Sequence, residues 1–251
     1  MIDREMFTRA RRRFHSVFRY YLRLAAYRNP FVFERVFHKI GHASDNRSPS
    51  FWDRELAGTK AAYLKTRISS DVINTLTATL IRNFAPGVKS LLDVGCAGGH
   101  MALAGLKEGL ENYVGIDISE YAIENARKNV LKDSGLQSVK FYCCDLCDYT
   151  SNSDGPFDAI VFTEVLYYLS VKEVIEQLNR YANWLKPGGV FCITMKDDPK
   201  SHAIYRGISR RFEVLHGVLF QCSPHRLKYR IYISQEHGAF LLGVFRPVGL
   251  Q

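Results

Sequence analysis

No run of 18 apolar residues occurs anywhere in the 251-residue chain, so no segment is expected to span a membrane as a helix. The Arg-rich start is followed by a single apolar run, broken by Arg23, and no cleavable signal peptide is expected. Internal repeats and low-complexity tracts are absent. Cysteine is sparse: Cys96, Cys143, Cys144, Cys147, Cys192 and Cys222 are all there is. Cys144 and Cys147 have the spacing of half a zinc or redox site, but no second CxxC and no close His pair completes it. No metal site is therefore expected, and the thiols fit a reducing, cytoplasmic compartment. Phosphate-binding signatures are missing too: no G-K-[ST] follows a Gly-rich loop, and no G-x-G-x-x-G spacing is present.

What is present is apolar and aromatic material, 47% hydrophobic with 16 Phe and 14 Tyr, enough for one substantial core and against general disorder. The net charge of +9 is uneven: residues 1–40 carry ten Arg or Lys against three Asp or Glu, leaving +2 for the remainder. Met1–Arg28 places Phe7, Ala10, Phe14, Val17, Phe18, Tyr21 and Ala25 at helical spacing between arginines. Asn29-Pro30 ends that helix, and Val32–Ile40 reads as a second one. Residues 1–50 are thus a basic amphipathic extension with a polar linker, His42–Pro49, and residues 51–251 are the main domain. The basic face has three partners open to it, an anionic membrane surface, an acidic partner or RNA, beside simple packing of its aromatic face on the domain. The near-neutral remainder and the lack of an RNA-binding module argue against nucleic acid.

Phe51–Leu64 and Ser70–Phe84 read as helices. From Ser90 apolar strands alternate with helices: strands at Ser90–Val94, Tyr113–Ile118, Val139–Cys144, Phe157–Phe162 and Val190–Met195, with helices at Glu120–Leu131 and Val171–Leu185. This is the pattern of a parallel, doubly wound α/β sheet with helices on both faces. Phe212–Gln221, Leu227–Ser234 and Ala239–Phe245 read as further strands, and which of the first two is the sixth strand is open.

The chemistry gathers where these strands end. Leu91-Leu92-Asp93-Val94-Gly95-Cys96-Ala97-Gly98-Gly99-His100 runs from a strand through a Gly-rich turn into a helix, and glycine allows backbone to approach a ligand closely. Asp117, 22 residues after Gly95, closes the second strand, the place from which a carboxylate takes the ribose hydroxyls of a nucleotide-like ligand. Asp145 follows the third strand, within reach of an adenine amino group. Three such features at three successive carboxyl ends point to a ligand at that edge of the sheet.

These residues resemble the class I S-adenosylmethionine-dependent methyltransferases. Leu92 to Gly99 is similar to the family's LDVGCGTG motif, Val114 to Ser119 to its VGIDIS element, Cys144-Asp145-Leu146 to its adenine-contacting element, and Leu185 to Val190 to its LKPGG turn before strand five. The resemblance covers about Ser90 to the C-terminus and departs at Ala97, commonly Gly in the family. Shorter stretches, Asp53–Ala57, Gly95–Ala97 and Thr163–Leu169, are similar to the nodulation-factor N-methyltransferases, which methylate an amino sugar. The resemblance implies a seven-stranded, mostly parallel sheet with an antiparallel C-terminal strand and extra N-terminal helices. It implies S-adenosylmethionine as cofactor and S-adenosylhomocysteine as product. It places Asp93, Gly95, Ala97, Gly98, Thr163 and Glu164 near the methionine end, Asp117 and Ile118 at the ribose and adenine, and Asp145 and Leu146 at the adenine ring. Tyr63 and Arg67 lie in a segment that caps the cofactor in similar enzymes, where a guanidinium matches a carboxylate.

The expected reaction is methyl transfer to a hydroxyl or amine of a small-molecule or carbohydrate acceptor. Alternatives are an RNA methyltransferase using the basic N-terminus, or a non-catalytic cofactor-binding scaffold. Sulfonium displacement needs positioning above all, and a hydroxyl acceptor also needs a base. Candidate bases are Glu164, Tyr168, Asp197 and His225, together with Asp198 and His202. The sequence does not choose among them.

Overall fold

The computed structural model describes residues 48–57, 67–103, 109–130, 137–151, 154–196, 199–221 and 239–248, and of residues 67–72, 218–221 and 239–241 the backbone alone. The basic segment 1–40, Tyr63, Asp197, Asp198, Cys222, His225 and the Leu227–Ser234 strand all lie outside the described residues.

Helix α1, Pro49–Ala57, opens with Ser48 as cap: the Phe51 N–H donates to Ser48 Oγ at 3.2 Å. Proline at the first helical position costs nothing there, because its missing N–H would have no intrahelical partner. The helix thus starts two residues before the expected Phe51. Helix α2, Arg67–Phe84, starts three residues before the expected Ser70, so Ser69 and Ser70 sit inside it.

There follow β1 Ser90–Val94, α3 His100–Leu103, β2 Asn112–Asp117, α4 Glu120–Val130, β3 Ser138–Cys143 and β4 Phe157–Thr163. Next come α5 Val171–Ala182, β5 Leu185–Lys196, α6 Pro199–Ser209, β6 Phe212–Gln221 and β7 Ala239–Pro247. The sixth strand of the described sheet is therefore Phe212–Gln221. The seven strands lie in the order β3-β2-β1-β4-β5-β7-β6. β1 pairs parallel with both β2 and β4, and β4 pairs parallel with β5. β7 runs antiparallel to both β5 and β6. The expected α/β architecture, with its antiparallel strand near the C-terminus, is the one observed.

Alternate residues of each strand feed two cores. Leu92, Val94, Ile116, Phe162, Phe191 and Ile193 pack on one face of the sheet. Leu91, Tyr113, Val161, Cys192 and Val244 pack on the other, under Ala78 and Ile81 of α2 and Ile123 and Ala126 of α4. Burial on both faces is why the central strands read as nearly continuous apolar runs.

One expected boundary is corrected. The helix expected over Val171–Leu185 ends at Ala182, where Asn183 N–H and Trp184 N–H turn back to Arg180 and Tyr181 carbonyls at 3.2 and 3.0 Å. Leu185 already pairs with Phe157, and the register then jumps to Val190 opposite Ala159. The Lys186-Pro187-Gly188-Gly189 segment is thus a bulge inside β5 and not a free turn before it. A side chain on Gly189 would sit 2.9 Å from the Lys186 carbonyl and 3.1 Å from that of Asp158, so the bulge needs glycine there. No helix among the described residues is long and apolar enough to cross a membrane.

Candidate active site

The strand order reverses between β1 and β4, which is where doubly wound sheets open a crevice at the carboxyl ends of their strands. The turn leaving β1 is set by glycine. Gly95 has φ +76°, and a Cβ there would lie 2.1 Å from Val165 Cγ1. The N–H groups of Gly95 and Cys96 both donate to the Ile116 carbonyl, at 2.8 and 3.0 Å. Ala97 follows with φ +44°, a conformation costly for a residue with a Cβ. Its N–H donates to Asp117 Oδ2 at 2.9 Å. Gly98 is tied to α4 through its carbonyl, which accepts from Asn129 Nδ2 at 3.1 Å.

Asp117 ends β2 and is half-buried. Its Oδ1 accepts the Ser119 N–H at 2.9 Å. Burial pushes its carboxyl above the usual carboxylate range, the Ser119 and Ala97 amides pull it back, and the nearby charge of Asp53 pushes it up again. Ile118 follows, half-buried, and its carbonyl accepts from Cys143 Sγ.

Asp93 is set deeper. It is 2% exposed, and its Oδ2 accepts the hydroxyl of fully buried Tyr113 at 2.6 Å. Burial pushes its carboxyl up to about 7, against the stabilising Tyr113 hydrogen bond. Asp145 caps the loop after β3, its Oδ1 taking the Cys147 N–H at 2.7 Å. That loop is pinned from below. Arg180 donates to the Leu146 and Cys147 carbonyls, and Tyr181 Oη donates to the Leu146 carbonyl at 2.9 Å. The Leu146 side chain packs against the core.

At the end of β4, Thr163 Oγ1 is buried with no hydrogen-bond partner, as is Oγ1 of Thr194, its neighbour in register on β5. Glu164 comes next with φ +59°, its N–H donating to the Thr194 carbonyl at 2.9 Å. Among the described residues only Ala97 and Glu164 have positive φ without being glycine. Both stand at this edge. Leu166–Tyr168 form a single 3-10 turn. Tyr167 is buried under Lys196, whose Nζ lies 4.5 Å from the ring centroid. Burial and then the charge of Glu164 push the Tyr167 phenol well up. The Tyr168 hydroxyl lies 3.5 Å from that of Tyr167.

The structure therefore brings Asp93, Gly95, Ala97, Gly98, Asp117, Ile118, Asp145, Leu146, Thr163, Glu164 and Tyr168 to one edge of the sheet. Arg67 heads α2, His202 lies half-buried in α6, and Tyr63, Asp197 and His225 fall outside the described residues. Sequence reasoning missed Tyr113, which holds Asp93, Val165, which seals Gly95, and Trp52, whose ring meets Tyr168 edge-on at 5.3 Å. Strand alternation carries a signal for Tyr113 alone, since it shares a sheet face with Asp93. No group of three or more His, Cys, Asp or Glu able to hold a metal ion occurs among the described residues.

Comparison with known proteins bears on the segment that carries this edge. Residues 91–189, from β1 to the bulge of β5, match the model of a methyltransferase domain. This segment is a class I S-adenosylmethionine-dependent methyltransferase domain. The ubiquinone biosynthesis O-methyltransferase of Thiobacillus denitrificans is 35% identical over 134 residues, which cover 53% of this chain and 56% of that protein. The chain spans about half the length of the curated relatives it matches. The N-methyltransferase NodS of Bradyrhizobium japonicum WM9, solved with S-adenosyl-L-homocysteine, superposes with a TM-score of 0.55 at 20% identity, covering 78% of this chain and 95% of that one. The magnesium protoporphyrin IX methyltransferase of Synechocystis PCC 6803, solved with bound S-adenosylmethionine, gives 0.57 at 14% identity, covering 82% and 99%. At such identities the two structures speak for the fold of the methyltransferase domain.

The residues present fit the family's cofactor. Its ribose hydroxyls and adenine amino group are donors, and the edge offers carboxylates with lone pairs to spare at Asp117 and Asp145. Its methionine end is polar, and Thr163 Oγ1 is a buried hydroxyl with nothing bonded to it.

Proposed function

We propose that this protein transfers a methyl group from S-adenosylmethionine to a hydroxyl or amine of a small-molecule or carbohydrate acceptor. The observation that carries the reading is Glu164, held at φ +59° just beyond β4 and followed by Val165, which closes on Gly95 of the turn whose Ala97 N–H donates to Asp117. Left-handed backbone at a residue with a Cβ is strain that the surrounding structure must hold in place, and such strain gathers at functional sites.

Asp117 would hold the ribose hydroxyls, its own oxygens kept in place by Ala97 N–H and Ser119 N–H. Asp145 and the backbone at Ile118 and Leu146 would frame the adenine, on a loop that Arg180 holds by the Leu146 and Cys147 carbonyls. Gly95, Gly98 and Thr163 would line the methionine end, with Asp93 beneath them; Tyr63 and Arg67 belong to the segment that caps the cofactor in the enzymes this sequence resembles. The bound cofactor supplies an electrophilic methyl on a sulfonium with a neutral leaving group. Glu164 takes the acceptor's proton, and Tyr168 orients the acceptor against the aromatic wall formed with Tyr167. Positioning of this kind is worth about 7–11 kcal/mol at its best. Short likenesses to nodulation-factor N-methyltransferases over Thr163–Leu169 support a carbohydrate among the acceptors.

The test is calorimetry with S-adenosylhomocysteine on the whole chain, followed by transfer of labelled methyl to paired amine and hydroxyl acceptors, glucosamine and glucose among them. Micromolar binding and transfer that Glu164→Gln abolishes are the expected results. No heat of binding at millimolar ligand would sink the reading.

A further inference from the structure

Helix α1 has a place in the fold that its composition does not explain. None of its nine residues is fully buried, so apolar burial does little to hold it down. Two consecutive residues fasten it instead, each to a different side of the candidate site. Trp52 meets the Tyr168 ring edge-on at 5.3 Å, beyond β4. Asp53 reaches the other side, where Oδ1 accepts the Ser119 hydroxyl at 2.6 Å and the Tyr121 N–H at 3.3 Å. β1 lies between β2 and β4, so α1 links the two flanks of the turn that leaves β1.

Ser119 carries three bonds at once. Its N–H holds Asp117 Oδ1 at 2.9 Å, its Oγ accepts the Ala122 N–H at 3.1 Å as the cap of α4, and its hydroxyl proton goes to Asp53. Ser119 is 0% exposed with Asp53 in place, so Asp53 is the acceptor that its hydroxyl proton relies on. A hydroxyl left without its acceptor in a buried site must rotate and draw its neighbours with it. The nearest consequence falls on Asp117, whose oxygen depends on the same serine.

We propose that Asp53 is a positioning residue for Asp117, acting through Ser119, so that the docking of α1 and the setting of the Asp117 carboxylate are coupled. This rests on the reading that Asp117 holds the cofactor. By linkage, whatever loosens Asp53 weakens cofactor binding, because a ligand favours the docked state only as far as it binds that state better.

Calorimetry with S-adenosylhomocysteine on the full chain tests it, with thermal melting in parallel. Asp53→Ala is expected to weaken binding about tenfold, equivalent to about 1.4 kcal/mol. Asp53→Asn, whose Oδ1 accepts the same two donors, should bind within about threefold of the parent, since uncharged hydrogen bonds are the weaker kind. Ser119→Ala should weaken binding about as much as Asp53→Ala, and the double variant should be no weaker than either, because residues in one network are not additive. A plain helix cap would lower the melting temperature of Asp53→Ala and leave its affinity intact; that result overturns the proposal. So do additive losses in the double variant, or an Asp53→Asn as weak as Asp53→Ala. If Asp53→Ala does not fold, Ser119→Ala decides, and unchanged affinity there is equally fatal. A parent protein that binds nothing refutes the functional reading itself, whereas a binding parent with an indifferent Asp53→Ala refutes only the role of Asp53.

Discussion

The two edges of the sheet treat an aspartate in opposite ways. At the amino-terminal edge, Asp158 Oδ2 accepts from Lys89 N–H, Ser90 N–H, Ser90 Oγ and Lys186 Nζ, at 3.0, 2.8, 2.8 and 2.9 Å. Burial alone would raise its carboxyl, but Lys186 and these donors together hold it below the usual range. At the carboxyl-terminal edge, Asp93 and Asp117 form no ion pair with a described residue, and both carboxyls are pushed up by burial. The same edge carries both non-glycine residues of positive φ among those described, and the orphaned hydroxyls of Thr163 and Thr194. One edge spends its polar groups on itself and stabilises the fold. The other leaves acceptors, strain and unmet hydrogen bonds that a ligand can relieve.

Gly95→Ala should break that contrast most severely. The new methyl would stand 2.1 Å from Val165 Cγ1 at φ +76°, so Val165 and the strained Glu164 before it must both move. Overpacking and left-handed strain together cost about 3 kcal/mol, and S-adenosylhomocysteine affinity should fall about a hundredfold, since a mis-set turn loses several contacts at once. Near-normal affinity by calorimetry would mean that the turn tolerates rearrangement.

Asp93 gives the contrast a pH axis. Its carboxyl sits at about 7 in the folded protein against 3.8 for an ordinary aspartate. The folded state therefore holds a proton that the unfolded chain has released between those values. The stability this confers is fully present below about 4 and is lost as pH rises through 7, up to about 4 kcal/mol at about 1.4 kcal/mol per unit. Asp93→Asn cannot ionise. The difference in urea-unfolding free energy between parent and variant should shift in the variant's favour from pH 4 to 8, and a constant difference would show that Asp93 is not held protonated.

Asp158→Ala should do the reverse of Gly95→Ala. It strips the acceptor from a lysine, a hydroxyl and two amides, and about 2–3 kcal/mol of stability should go with it. Affinity for S-adenosylhomocysteine should stay within about twofold, because sites far apart with no shared partner behave independently. A comparable loss of affinity would erase the distinction between the edges.

Much of the carboxyl-terminal edge was legible in the residues because it depends on local chemistry. A Gly-rich turn after an apolar strand, and an acid at the next two strand ends, are written within a few positions of one another, and the strand ends fell within a residue or so of expectation. The bulge of β5 was not legible, since Lys186 to Gly189 looks like a turn until Leu185 is seen pairing with Phe157. The role of α1 was not legible either. Asp53 and Ser119 are 66 positions apart, and Trp52 and Tyr168 meet only once the sheet has brought their elements together. Hydrophobic periodicity describes how a helix faces its core, and α1 is held by its polar and aromatic contacts across the edge.

The gentlest way to sharpen the contrast is Ala97→Gly. Ala97 sits at φ +44° so that its N–H can reach Asp117 Oδ2 at 2.9 Å. Holding an L-residue there costs about 1–2 kcal/mol. Glycine removes that cost but adds chain entropy to the unfolded state, worth about 0.5–1 kcal/mol in the other direction. The difference should leave the variant more stable by about 0.5 kcal/mol, a rise of 1–2 °C in melting temperature for a chain of about this size. The hydrogen bond to Asp117 uses only the backbone, so affinity for S-adenosylhomocysteine should remain within about twofold, unless the freer backbone loosens the bond. A fall in melting temperature would mean that the Ala97 methyl makes packing contacts worth more than its strain, and that the strain at this edge is concentrated at Glu164.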